Sequence, residues 1–201
     1  AYAILESLKE KLSSPSPLYL VDENERIKYL QNWIPEETLL VLETLREEMK
    51  TKEKSMADFF LVVASDLIRD YSYQEPSDLR IRRRKSPFPE IPFINAYYSN
   101  IHKYLKRIEA IQSVEKCDFF PQNYAVNCDI KTDNPFDKIK FDAAITSPPY
   151  ATALPYIDTQ RISLVWLELC NATDIGKLEA SLIGSRELLK SEKNKWAEVI
   201  K

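Results

Sequence analysis

Two glycines in 201 residues constrain this chain more than any other feature. Average usage of ~7% would supply roughly 14, and the two present, Gly176 and Gly184, both lie beyond residue 175. A Walker loop, a G-x-G-x-x-G turn or any other glycine-rich cradle for phosphate or cofactor is therefore excluded within these residues. A single histidine, His102, means that a Ser-His-Asp arrangement would have to run through it. The three cysteines (Cys117, Cys128, Cys170) are scattered and form no C-x-x-C pair. They read as reduced thiols in a reducing compartment, not as a disulfide frame or a metal site.

At ~150 residues per domain the length allows one large domain or one and a half small ones. No window approaches the ~20 apolar residues of a membrane span, and no signal peptide opens the chain, so a cytoplasmic protein is expected. The sequence begins at Ala1, inside what reads as a helix and without an initiator methionine, which points to a fragment. The net charge of -3 hides an asymmetry. Residues 76–116 carry nine basic against four acidic side chains, whereas residues 1–75 carry nine against fifteen. A basic middle in an acidic chain suggests local contact with a polyanion.

Periodicity makes residues 1–115 helical. Ile4, Leu5, Leu8 and Leu12 mark one apolar face, and Ile27, Leu30 and Trp33 a second. Pro35-Glu36-Glu37 opens a third helix, in which Leu39, Leu42, Leu45 and Met49 repeat. Met56, Phe59, Phe60, Val63, Leu67 and Ile68 form a fourth, apolar nearly all round and so expected at the centre. Ile94, Tyr97, Tyr98, Ile101, Tyr104, Leu105, Ile108 and Ile111 build a long fifth, with His102 off its apolar stripe. Between the last two, residues 71–92 hold four prolines and an arginine run, a connector too long to be an idle turn. Beyond residue 117 the texture changes. Residues 124–129 and 141–146 read as short strands, and 160–170 and 177–200 return to helix, the alternation of a parallel α/β sheet.

The sharpest local feature is Thr146-Ser147-Pro148-Pro149-Tyr150, directly after the apolar Phe141–Ile145 run. In open α/β sheets, ligands sit beyond the carboxyl ends of strands. Two prolines stiffen the loop and leave its carbonyls as pure acceptors. A serine hydroxyl adds an adaptable partner, and a tyrosine offers a ring face for stacking. Together they suit the exocyclic amino group of an aromatic base, which must leave a duplex to enter such a site. Chance would place Ser-Pro-Pro-Tyr in a chain of this length about once in a thousand. A docking peptide for an SH3-like partner is the alternative, but such peptides lie in polar tails.

This pentapeptide resembles motif IV of the amino-group DNA methyltransferases, [Asp/Asn/Ser]-Pro-Pro-[Tyr/Phe/Trp] after the fourth strand, in the serine form typical of the N4-cytosine branch. Asn127-Cys128-Asp129 is similar to motif III of the same family, and residues 151–161 resemble the stretch that follows motif IV. The resemblance covers residues 123–169. It implies S-adenosylmethionine as methyl donor, with Asp129 and Thr146 near the cofactor and no metal. Ser147, Pro148, Pro149 and Tyr150 would form the site for a flipped base. The substrate would be double-stranded DNA, and a restriction endonuclease a functional partner. The implied fold is α/β, a mainly helical N-terminal region joined to part of a Rossmann-like methyltransferase sheet. Residues 1–116 would be the helical region, an insertion with its basic connector at 71–92, and 117–201 the partial methyltransferase domain. The family's glycine-rich motif I is missing, so an incomplete catalytic domain is expected.

Leu79-Arg80-Ile81-Arg82-Arg83-Arg84-Lys85, bracketed by Pro76 and Pro87, is the second feature. Five cations on a chain held extended by prolines suit a phosphate backbone, so Arg80, Arg82, Arg83, Arg84 and Lys85 are candidate nucleic-acid contacts. Asp158 and Arg161 read as a local ion pair at a helix start. Two rival readings remain at this point, an RNA amino-methyltransferase and a non-catalytic module that binds DNA or protein.

Overall fold

The computed structural model describes residues 1–16, 24–114, 126, 128, 132, 136, 140–143, 145 and 156–182. Seven helices occur among them: α1 Tyr2–Ser13, α2 Glu25–Trp33, α3 Glu36–Met49, α4 Lys54–Ile68, α5 Phe93–Val114, α6 Tyr156–Trp166 and α7 Ile175–Ser181. A 3-10 turn, Ala172–Asp174, precedes α7. The starts are chemically marked. The Asn24 side chain accepts the Ile27 amide at the head of α2, and the Glu53 carboxylate accepts those of Ser55 and Met56 at the head of α4. Pro35 occupies the cap position of α3, one residue before the helix, with Glu36 and Glu37 in its first turn.

The apolar faces read from the sequence are the faces that pack. α3 lies against α1, α2 and α4, while α4 also touches α5 and α6. Leu5, Leu8, Leu12, Leu30, Leu39, Leu42, Leu45, Phe60, Tyr97 and Ile101 share one core. That core extends to Ile157, Ile162, Val165 and Trp166 of α6 and to Ile175 of α7, so the helices that follow residue 155 close on the N-terminal ones.

Two expectations shift. α4 is not enclosed, because Val62 is 63% exposed; α3, α5 and α6 cover three sides and leave the fourth to solvent. The stripe of α5 is buried at Tyr97, Ile101 and Leu105 and emerges at Ile108 and Ile111. At 22 residues, α5 outruns the 12 of α1 and the 15 of α4. Of 124–129 only Val126 and Cys128 are described, and of 141–146 residues 141–143 and 145; none of these is in a strand, and Phe141 and Ile145 are exposed, while residues 183–200 lie outside the described residues. Among the described residues no strand forms, and one isolated antiparallel bridge joins Gln74 to Arg83.

Candidate functional site

The 71–92 connector folds into a small hairpin. The Tyr73 amide donates to the Trp33 carbonyl (2.7 Å), Arg84 N to Tyr73 O (2.7 Å) and Glu75 N to Arg82 O (2.9 Å). The arginine run is therefore the returning arm of a hairpin and not a free extended strand. Tyr71 is buried edge-on against Phe93 and donates its hydroxyl to Ile91 O (2.6 Å), which seats the far end. Ser72 and Gln74 are buried beside it.

Pairing in the hairpin divides the five cations. Arg84 donates Nη1 to the carbonyls of Asp70 (2.7 Å) and Ser72 (2.9 Å) and Nε to that of Ser86 (3.2 Å). Its guanidinium lies 4.4 Å from the Phe88 ring centre. Arg83 donates to the Asn32 carbonyl and stacks 4.3 Å from the centre of the Trp33 ring. Arg84 is a mounting bolt with three hydrogen bonds engaged, whereas Arg83 is tied to α2 by one hydrogen bond and its stack on Trp33 and stays exposed. Arg82 is paired once, with Asp78 (2.9 Å), and its side chain is 62% exposed. Arg80 and Lys85 are exposed and make no side-chain ion pair or hydrogen bond among the described residues.

Glu75 locks the base of the hairpin. Its carboxylate accepts the amides of Lys85 (2.9 Å) and Ser86 (3.1 Å) and the Ser77 hydroxyl (2.9 Å). These bonds, the Lys85 amide first, hold its carboxyl down at about 2, from an ordinary 4.5. A depressed carboxylate pKa stabilises the folded hairpin above the unfolded value and loses that effect as pH falls through the folded one. Below pH ~4.5 and progressively toward 2, the Lys85 and Ser86 amides are expected to lose protection. A proton-detected pH titration of those two amides checks this, and Glu75→Gln should show the loosened state already at neutral pH.

The hairpin is also tied to α6. Gln74, 1% exposed, donates its side-chain amide to the Asp158 carbonyl (3.1 Å) in the first turn of that helix. Asp158 and Arg161 form the expected ion pair at 3.4 Å. Ser163 anchors the middle of α6 to the Ser65 carbonyl (3.3 Å). At its far end, Arg26 reaches the Trp166 carbonyl (3.4 Å). That arginine belongs to a charged cluster under the surface. Glu43, 2% exposed, accepts from Arg26 (2.7 Å) and Arg46 (3.2 Å), while Glu168 closes the ring to Arg46 (2.9 Å) and Arg26 (3.3 Å). Burial pushes the Glu43 carboxyl up and the Arg26 guanidinium down, and their mutual attraction opposes both shifts.

Neither Gln74 nor this cluster follows from the sequence reading. Glu43 carries a faint signal, four positions after Leu39 and next to Leu42 on the buried face of α3. His102, half-buried, lies near the Tyr2 ring and takes no part. Asp129, Thr146, Ser147, Pro148, Pro149 and Tyr150 lie outside the described residues. Among the described residues Cys128 and Cys170 are free thiols. Among the described residues no group of His, Cys, Asp and Glu is arranged to hold a metal, and no helix is long and apolar enough to cross a membrane.

No family model and no solved structure matches the chain. Among curated proteins it is similar to the Type II methyltransferase M.MvaI of Kocuria varians, 26% identical over 172 residues. The match takes in 77% of this chain and 37% of that protein, so the chain spans little more than a third of its relative's length. A match of that extent includes the middle of the chain, and with it both the hairpin and residues 146–150. By sequence, this chain is similar to a Type II methyltransferase.

Proposed function

We propose that this chain is part of a DNA methyltransferase that modifies an exocyclic amino group, the N4 of cytosine, in a base flipped from the duplex. The similarity to a Type II methyltransferase carries the reading, together with the Thr146–Tyr150 segment at the end of an apolar run. Ser147 and the Pro148 carbonyl accept the hydrogens of the amino group and leave its lone pair aimed outward. Pro149 holds the loop stiff, and Tyr150 stacks on the base. Most of the gain is positional, since a stiff acceptor site fixes the nitrogen at the angle that in-line transfer requires.

On this reading residues 117–201 belong to a partial Rossmann-like methyltransferase domain, into which residues 1–116 are inserted. Helix α6 then returns the chain to the helical body six residues after Tyr150. S-adenosylmethionine is the methyl donor that a methyltransferase of this kind uses, and Asp129 and Thr146 are the residues assigned to its border. A glycine cradle for it is not among these residues, because Gly176 sits inside α7 and faces open space and Gly184 follows it. This chain's own contribution is the base site and the duplex contact. A restriction endonuclease is the functional partner that such an activity serves.

The test is to express the complete protein, digest the cell's DNA to nucleosides and identify the modified base by mass spectrometry. N4-methylcytosine is expected. N6-methyladenine would move the protein to the adenine branch with the same chemistry. 5-methylcytosine, or methyl transfer to RNA in place of DNA, would overturn the reading.

A further inference from the structure

The five cations of the hairpin are not equivalent. Arg83 and Arg84 spend their donors on the carbonyls of Asn32, Asp70, Ser72 and Ser86 and their faces on Trp33 and Phe88. Arg80 and Lys85 are exposed without a side-chain partner among the described residues, and Arg82 is held by Asp78 alone. These three side chains line an open cleft of about 780 Å³ along the hairpin together with the exposed Arg83, the Glu75 and Asp78 carboxylates, Ser77 and Leu79. The scaffold beneath them is preorganised, because Glu75 closes the base and Tyr73 is tied to Trp33. Little ordering entropy is then lost when a ligand binds. Three outward cations on a rigid, sequence-local platform fit successive phosphates of a nucleic-acid backbone.

The position of the platform is also informative. Gln74 joins it to Asp158, eight residues after Tyr150. At ~3.3–3.6 Å per fully extended residue, those eight steps reach at most ~29 Å. That is less than one turn of duplex, ~34–36 Å. The hairpin base is thus tethered, through eight residues of chain and the Gln74 hydrogen bond, within about one turn of duplex of the base-holding loop.

We propose that residues 73–86 form a phosphate-gripping finger, in which Arg80, Arg82 and Lys85 hold the DNA backbone within one helical turn of the target base. Arg84 mounts the finger, and Arg83 ties it to α2 through the Asn32 carbonyl and the Trp33 ring. The inference rests on the DNA reading above for its choice of polyanion, and it is tested by binding, without methyl transfer. Fluorescence anisotropy of labelled duplexes across a salt series, with the complete protein, reads it.

Combined Arg80→Ala, Arg82→Ala and Lys85→Ala is expected to weaken unrelated duplexes alike, by tenfold or more at low salt. It should also lower the slope of log affinity against log salt by roughly 2–3 units, about 0.9 per phosphate lost. The thermal midpoint should stay unchanged, because all three side chains point to solvent. The charge-conserving variant with Arg80→Lys and Arg82→Lys should keep the slope. An unchanged slope in the alanine variant would overturn the finger, as would a wild-type protein without salt-dependent duplex binding or a structured RNA that outcompetes DNA. A protein that binds in this way yet methylates nothing would instead refute the enzymatic reading and leave the finger standing.

Discussion

Glu43→Ala is expected to destabilise the folded protein by ~3–5 kcal/mol, the usual cost of stranding a buried charge. Its carboxylate is the shared acceptor of two guanidinium groups whose side chains are only 14% and 15% exposed. Without it, Arg26 and Arg46 face one another across a dry gap. Their remaining acidic partners are Glu168, 56% exposed and weakened by solvent screening, and for Arg46 also Glu47 at 3.4 Å. Replacing the whole set with apolar residues (Arg26→Met, Glu43→Leu, Arg46→Leu) should cost far less than the single change, because a buried ion pair offsets its own desolvation only narrowly.

The pH behaviour follows from the same balance. Burial holds the Glu43 carboxyl above its ordinary value, so its contribution favours the folded state at low pH and fades as pH rises through the folded value. Urea denaturation of the single and triple variants measures the difference. A single variant that loses less than ~1 kcal/mol would show that the arginines find water, and that the cluster is not the lock between α2, α3 and the end of α6.

Trp166→Ala is expected to cost ~3–5 kcal/mol. Trp166 ends α6, is fully buried, and carries the largest side chain of the core. Its removal opens a cavity where α6 meets the α2 and α3 side of the bundle. Trp166→Phe should behave differently. The indole Nε1 has no hydrogen-bond partner among the described residues, and a buried orphan donor is itself worth ~1–3 kcal/mol of penalty. Phenylalanine gives up some volume and removes that penalty, so its net cost should stay below ~1.5 kcal/mol. Denaturation of both variants decides the point. Equal losses would mean that the indole nitrogen, not ring volume, holds α6 in place.

The helices and their buried faces were legible in the sequence. Leu5, Leu8 and Leu12, then Leu39, Leu42, Leu45 and Met49, stand at i, i+3 and i+4 spacings and are all buried. Periodicity is a local property, because 3.6 residues per turn brings those positions together whatever the rest of the chain does. The Asp158–Arg161 pair was legible for the same reason. The base-site reading rests on the five adjacent residues Thr146–Tyr150, which lie outside the described residues.

What only the tertiary structure decided is which partner each polar side chain takes. Arg83 meets Asn32 across 51 positions, Gln74 meets Asp158 across 84, and Arg26 meets Trp166 across 140. The run Arg80–Lys85 reads as five equal cations, because nothing in its spacing separates a mounting guanidinium from a free one. The separation arises when α2 brings the Asn32 carbonyl and the Trp33 ring beside the hairpin and the end of α4 supplies the Asp70 carbonyl. Hydrophobic burial is non-directional and tolerant of its partner, so a local pattern suffices to announce it. A hydrogen bond needs one acceptor at ~2.9 Å and the right angle, and only the packing of helices distant in sequence puts that acceptor there.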